Sequence, residues 1–304
     1  MSRLTVRLEY VHPWPNAAGL YVVRDREILL KQGIDFEISY GGYDRGDPVT
    51  LLERGEADIA VVPPNRLVNA RNNGADVVAV AAINQVPLEA VITTKKTGIS
   101  RPRDLAGRTL GLMPSSRLET LVRYTVDLDG GDGQAVDIRY TSGYEPDITD
   151  VIDGNYDSVL NIKAWEPLLG GLDVSERVVL PFNEWGGPAY PSYLWVVRGT
   201  LIRRNPELVQ KFVDALRVGY EVAENEPEAA VSALQKSLLN RRPSIIAESL
   251  SIVKPTWRKE GTWGIIDEDD VSSYVKWLAE HQLLKSTDGL DGAINNDFVK
   301  AAVK

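Results

Sequence analysis

The clearest pattern of apolar and polar positions lies at residues 34–39. Ile34, Phe36 and Ile38 alternate with Asp35, Glu37 and Ser39, the two-residue period of a half-buried strand. Gly41 and Gly42 break the pattern, and a loop is predicted over residues 40–45. Asp47 ahead of Pro48 then opens a short helix, the carboxylate as cap and the proline in the first turn. Gly55 closes it. Residues 59–62 form an uninterrupted apolar run, as expected of a parallel strand buried on both faces. Pro63, Pro64 and Asn65 end that run. Ligands of open parallel sheets gather just beyond the carboxyl ends of the strands, where both loops of this strand–helix–strand unit fall.

The rest of the chain repeats this grammar. A first strand is predicted over residues 4–9, followed by a proline-stiffened loop over 10–16 and a helix over 17–32 with Asn16 as its cap. A helix over 65–73 leads to a strand over 77–83 that stops at Asn84 and Gln85, two amides suited either to a ligand or to a solvated turn. The strand over 89–94 reads as the first leg of a crossing to a second lobe. That lobe opens like the first, with a strand over 109–113, a turn, and a helix over 118–128. Ser115 or Ser116 caps this helix, and the same exposed amides suit an anionic or carbonyl group of a ligand. Residues 155–161 repeat the logic of residues 55–62. Residues 181–193, PFNEWGGPAYPSY, show no periodicity and combine aromatics, a carboxylate and two glycines. Such segments suit either recognition or a stiff crossover. A strand over 193–197 returns to the first lobe, and from residue 200 the pattern is helical.

Composition narrows the chemistry. The chain has 304 residues, 25% charged and 43% hydrophobic, with a net charge of −9. That charge argues against a nucleic-acid partner, which requires a basic stripe. There is no cysteine, so disulfides, thiolate nucleophiles and cysteine metal sites are excluded together. The two histidines, His12 and His281, cannot make a histidine-rich metal centre. No P-loop, dinucleotide fingerprint, zinc-protease motif or nucleophile elbow is present. No apolar run reaches the length of a membrane-spanning helix, and the first residues read as a strand with no signal peptide in view.

Four segments carry a family resemblance: Gly19-Leu20-Tyr21, Gly33-Ile34-Asp35, Gly55-Glu56-Ala57-Asp58 and the apolar run Val78-Ala79-Val80-Ala81-Ala82. With "NPELVQKFVDALRVGYEVAENEPEAA" and "WGIIDEDDVSSYVKWLAEHQLL" further on, they resemble the family that joins fungal thiamine-pyrimidine synthases to bacterial binding proteins for thiamine-pyrimidine precursors. The resemblance implies an α/β type II periplasmic-binding fold of two lobes, each a mixed, mostly parallel sheet flanked by helices, with a cleft between them. Lobe 1 is expected to take residues 1–94 and 194–304, and lobe 2 residues 95–193. The expected protein is an extracytoplasmic solute-binding protein of an ABC importer, periplasmic or lipid-anchored. It is expected to be monomeric, to work with an ABC permease and to need no cofactor or metal. The synthase activity is set aside, because its cysteine-rich segment is missing and neither histidine has a matching context.

The resemblance places Trp14 in the first loop as a stacking platform and matches Trp165-Glu166 to a Trp-Asp pair. With the residues read from the pattern, the expected ligand-binding set is Trp14, Asn16, Tyr40, Asn65, Asn84, Ser115, Asn161, Trp165, Glu166, Glu184, Trp185 and Tyr190, with Tyr193 beside them. This set is aromatic, amide-rich and acidic. A sulfonate or phosphate calls for Arg, Lys or an uncovered helix N-terminus. An aminopyrimidine stacks on aromatic rings and pairs its ring nitrogen and amine with carboxylate and amide groups. The expected ligand is therefore a flat, amine-bearing heterocycle such as a thiamine-pyrimidine precursor. Riboflavin, a nucleobase, a sulfonate and an aromatic carboxylate are the alternatives. Trp257, Trp263 and Trp277 are expected to be packing residues.

Overall fold

The computed structural model describes residues 2–41 and 46–301. The predicted break at Gly42 and most of the loop over 40–45 lie outside the described residues. The strands of the two main sheets are β1 (Ser2–Arg7), β2 (Ile34–Ser39), β3 (Ile59–Val62), β4 (Val77–Ala82), β5 (Glu89–Thr94), β6 (Thr109–Leu112), β7 (Asp137–Tyr140), β8 (Ser158–Ile162), β9 (Arg177–Pro181) and β10 (Leu194–Arg198). The helices used below are α1 (Ala18–Asp25), α2 (Pro48–Arg54), α3 (Pro64–Asn72), α4 (Ser116–Leu128), α5 (Ile148–Ile152), α6 (Gly199–Arg204), α7 (Pro206–Asn225), α8 (Pro227–Gln235), α9 (Pro243–Val253) and α10 (Glu268–Glu280).

The chain divides into two compact units, residues 1–85 with 190–304, and residues 86–189. The sequence places the crossings at residues 94 and 193. The difference at the first crossing comes from β5, which pairs antiparallel with both β8 and β9 and so belongs to the second sheet.

Unit 1 carries the sheet β2–β1–β3–β10–β4. β1 runs parallel to β2 and β3, while β10 runs antiparallel to β3 and β4. The ends of β1, β3 and β4 and the start of β10 therefore share one edge of the sheet. β3 is buried along its whole length, as its unbroken apolar run requires. Asp47 caps α2, its Oδ1 accepting the N–H of Val49 at 2.8 Å and of Thr50 at 3.3 Å, and Gly55 ends the helix at φ 73°. The helix predicted over residues 17–32 is shorter. α1 stops at Asp25, and Glu27 turns into the left-handed region at φ 57°. Asn16 caps nothing. It lies inside a 3-10 turn, Pro15–Ala17, that Pro15 starts early.

Unit 2 carries the sheet β7–β6–β8–β5–β9. β6 runs parallel to β7 and β8, and β5 is antiparallel to its neighbours. The ends of β6, β7, β8 and β9 and the start of β5 share one edge. Ser115 is the cap of α4, its Oγ accepting the N–H of Leu118 at 3.3 Å.

The echo between residues 55–62 and 155–161 has a physical cause. Asp58 Oδ2 accepts the backbone N–H of Thr5 at 2.9 Å, tying β3 to β1. Asp157 Oδ2 accepts the backbone N–H of Thr109 at 2.8 Å, tying β8 to β6. In each unit an aspartate just ahead of one strand satisfies a backbone donor of its parallel neighbour.

Candidate functional site

In unit 1 the strand edge is a linked aromatic and amide cluster. Tyr10, which follows β1, meets Trp14 edge-to-face at 5.3 Å and Tyr193 edge-to-face at 5.1 Å. Asn16 Nδ2 donates to Tyr10 Oη at 2.6 Å, and Tyr220 of α7 donates its hydroxyl to Asn16 O at 2.8 Å. Burial, with Tyr193 and Tyr220 close by, pushes the Tyr10 hydroxyl well above its ordinary pKa. Asn84, beyond β4, donates from Nδ2 to Thr256 Oγ1 at 2.7 Å. Asn16 and Asn84 are fully buried, and their Oδ1 atoms accept no hydrogen bond among the described residues. Buried polar atoms are almost always paired, and these two open acceptors are exceptions to that rule.

The expected aromatic platform is distributed differently from the sequence reading. Trp14 is 3% exposed, its ring packed against Tyr10 within its own unit. Tyr190 is buried and stacks on Tyr274 of α10 at 3.8 Å. The half-buried rings at this edge are Tyr40 and Tyr193. Tyr40 shares a hydroxyl–hydroxyl hydrogen bond of 2.7 Å with Tyr21 of α1. Asn65 is half-buried in the first turn of α3. Trp257, Trp263 and Trp277 are buried packing residues, as expected.

In unit 2 the edge is charged. Glu166 follows β8 and is 5% exposed. Burial, reinforced by Glu145 and Asp147, raises its carboxyl well above the ordinary carboxylate range. Its Oε2 has no hydrogen-bond partner among the described residues. Trp165 beside it is 1% exposed. Asn161 spends its amide on the fold, donating to Pro146 O at 2.9 Å and accepting from Ile162 N at 3.0 Å. Ser115 stands at the start of α4 as its cap.

Two expected residues lie apart from this edge chemistry or at its margin. Trp185 carries Arg101 over its ring at 5.5 Å, and Arg101 in turn clamps Asp129 just past the C-terminus of α4. The Arg101 bond holds the Asp129 carboxyl down at about 2. The Trp185 face is thus occupied within its own unit. Glu184 is exposed and contributes charge toward Lys163. Sequence reasoning missed Glu89 and Lys163, which the strand pairing of β5 and β8 brings to the edge, and Arg117 of α4, whose Nη2 donates to Glu89 Oε1 at 2.9 Å. The only advance signal was a charged residue at the start of an otherwise apolar strand.

Both sheets match a known architecture. The chain superposes on the periplasmic aliphatic sulphonate binding protein SsuA of Escherichia coli with a TM-score of 0.74, 14% identity and 99% of each chain covered. The fold is the two-sheet α/β architecture of periplasmic binding proteins. The chain belongs to the NMT1/THI5 like family, whose model matches residues 14–230. It is similar to the formylaminopyrimidine-binding protein of Halalkalibacterium halodurans, 26% identical over 285 residues, covering 90% of this chain and 84% of that protein. It is also similar to the taurine-binding periplasmic protein of Escherichia coli, 24% identical over 253 residues, covering 77% and 69%.

Proposed function

We propose that this chain is the extracytoplasmic solute-binding protein of an ABC importer, and that it carries an aminopyrimidine of the thiamine-precursor type. The observation that carries the ligand assignment is Glu166, a buried carboxyl with an open oxygen at the end of β8. A carboxyl that keeps its proton has one donor and one acceptor side by side. It gives its O–H to a ring nitrogen and accepts from the neighbouring exocyclic amine, the two-bond edge of an aminopyrimidine. Around it, Glu145 and Asp147 add negative charge, which favours an amine and opposes a sulfonate. In unit 1, Tyr40 and Tyr193 offer ring faces for a flat heterocycle, and Asn16 and Asn84 offer amide oxygens. The formylaminopyrimidine-binding relative spans most of the chain and supports the same class. Delivery to a permease, a monomeric state and a location outside the cytoplasm complete the reading.

Thermal unfolding against a ligand panel tests it. A ligand at a hundred times its dissociation constant stabilises the folded state by about 2.7 kcal/mol. Aminopyrimidines are expected to raise the melting temperature, while taurine, aliphatic sulfonates, riboflavin and aromatic carboxylates leave it unchanged. A shift with sulfonates alone overturns the ligand assignment.

A further inference from the structure

A helical hairpin of unit 1 carries a surface that the strand-edge chemistry does not use. α8 and α9 pack against each other and are joined by residues 236–242, so they run as antiparallel neighbours. Between them lies a groove of about 900 Å³, walled by Val231, Ala247 and Leu250, with Glu228 and Lys254 toward one end and Leu239 at the other. The connection is held in shape. Gln235 Nε2 donates to Leu238 O and to Arg241 O, both at 2.9 Å, and Arg24 Nη2 of α1 donates to Ser237 Oγ at 2.9 Å. On this fixed turn Leu239 is 80% exposed, the most exposed large hydrophobic residue among those described. Arg241 and Arg242 follow it, both exposed and without an ion pair among the described residues. Lys236 ahead of it pairs with Asp25.

Charge sets this hairpin apart. The chain carries 43 acidic residues against 34 basic ones, yet residues 229–247 hold no aspartate or glutamate while Lys236, Arg241 and Arg242 all fall within them. The acids nearest the turn are Asp25, engaged with Lys236, and Glu228 at the far end of the groove. Apolar side chains scattered singly on a surface need no partner. Leu239 is different, because it stands at the mouth of an apolar groove and is followed by two unpaired guanidinium groups. We propose that this hairpin tip docks on an anionic phospholipid surface, with Leu239 entering the apolar layer, Arg241 and Arg242 meeting lipid phosphates and the groove seating an acyl chain. A lipid answers all three features at once, and leucine with flanking cations is the usual equipment of an interfacial contact. The net charge of −9 repels the rest of the chain from the same surface, so the hairpin leads the approach. The inference does not depend on which solute the protein carries.

The test is flotation of the full chain with two kinds of vesicle, phosphatidylcholine alone and equal parts of phosphatidylcholine and phosphatidylglycerol. The wild type is expected to bind the mixed vesicles roughly 10- to 30-fold more tightly, at about five-fold for each basic residue near an anionic surface. Raising the salt concentration is expected to shrink that difference. The double substitution Arg241→Gln with Arg242→Gln is expected to lose most of the preference. Leu239→Ser is expected to weaken binding to the mixed vesicles roughly 10-fold, by removing an apolar side chain that the lipid buries. All three positions are exposed, so melting temperature and solute binding are expected to stay at wild-type values, which separates a lost surface from a lost fold. Equal binding to the two kinds of vesicle, or mixed-vesicle binding that either variant retains in full, overturns the inference and leaves the solute reading intact. Recruitment only by vesicles that carry reconstituted membrane protein also overturns it, and marks a protein partner instead.

Discussion

Glu166 shows how burial converts an ordinary carboxylate into a recognition group. Burial is the largest cause of its raised pKa, with repulsion from Glu145 and Asp147 acting in the same direction. In the folded state the carboxyl keeps its proton at pH values where the unfolded chain has lost it. The folded state then binds more protons, so stability falls as pH rises above the ordinary value of 4.5 and keeps falling until the folded pKa is passed. Glu166→Gln has no proton to lose. Its melting temperature is expected to gain on that of the wild type as pH is raised from about 4 to about 8, the interval above the ordinary carboxylate pKa. Parallel curves for the two proteins would contradict a raised pKa. The sequence named Glu166 through its family context beside Trp165, but it could not show the burial. A glutamate followed by a proline reads equally well as a solvated helix start, and only the position of β8 against its neighbours removes it from water. Lys163 and Glu89 were illegible for a related reason. They lie far apart in sequence, and antiparallel pairing across β5 and β8 brings their backbones together.

Among elements, the local pattern was the most readable part of the chain. β2, α2 and β3 follow from alternation, a capping aspartate with its proline, and a short apolar run. Pairing decisions were not local. β5 is apolar enough to sit in either sheet, and its partners are β8 and β9. The shortening of α1 depends on a single left-handed residue, Glu27, which nothing in a helical pattern announces. Glycines at the α1–α7 crossing are explained by contact rather than by backbone conformation. A Cβ on Gly219 would stand 2.2 Å from Gly19 O, and one on Gly19 would stand 2.3 Å from the Tyr220 ring. The two helices approach at these residues with no space for a methyl group. Gly219→Ala is expected to destabilise the protein by about 1–3 kcal/mol through overpacking, measured by denaturant unfolding. The cost falls on the hydrogen bond from Tyr220 to Asn16 O as well. An unchanged or raised stability would show that the crossing has slack.

At the scale of the whole molecule, the family resemblance gave the fold class before any pairing was known, and the two strand–helix–strand echoes pointed to two lobes. Each unit reuses one device, an aspartate that satisfies the first strand's backbone across the sheet, which is why the echo is visible in sequence. The family model over residues 14–230 and the match to a sulphonate-binding structure agree with that reading. Ligand identity is where the fold stops informing, since relatives with this architecture include binders of a formylaminopyrimidine and of taurine. Their names divide along charge. A sulfonate calls for a cationic edge, whereas in unit 2 the cations Lys163 and Arg117 are offset by the carboxylates Glu184 and Glu89.

The aminopyrimidine assignment therefore stands or falls with Glu166. Its most direct test is calorimetric titration of an aminopyrimidine and of taurine into the wild type and Glu166→Ala, at a pH where both proteins are folded. The account predicts that the wild type binds the aminopyrimidine and not taurine. It also predicts that Glu166→Ala weakens aminopyrimidine binding by roughly 10- to 100-fold, the effect of losing two hydrogen bonds between neutral groups. Taurine binding that survives the substitution, or aminopyrimidine binding that ignores it, would contradict the account.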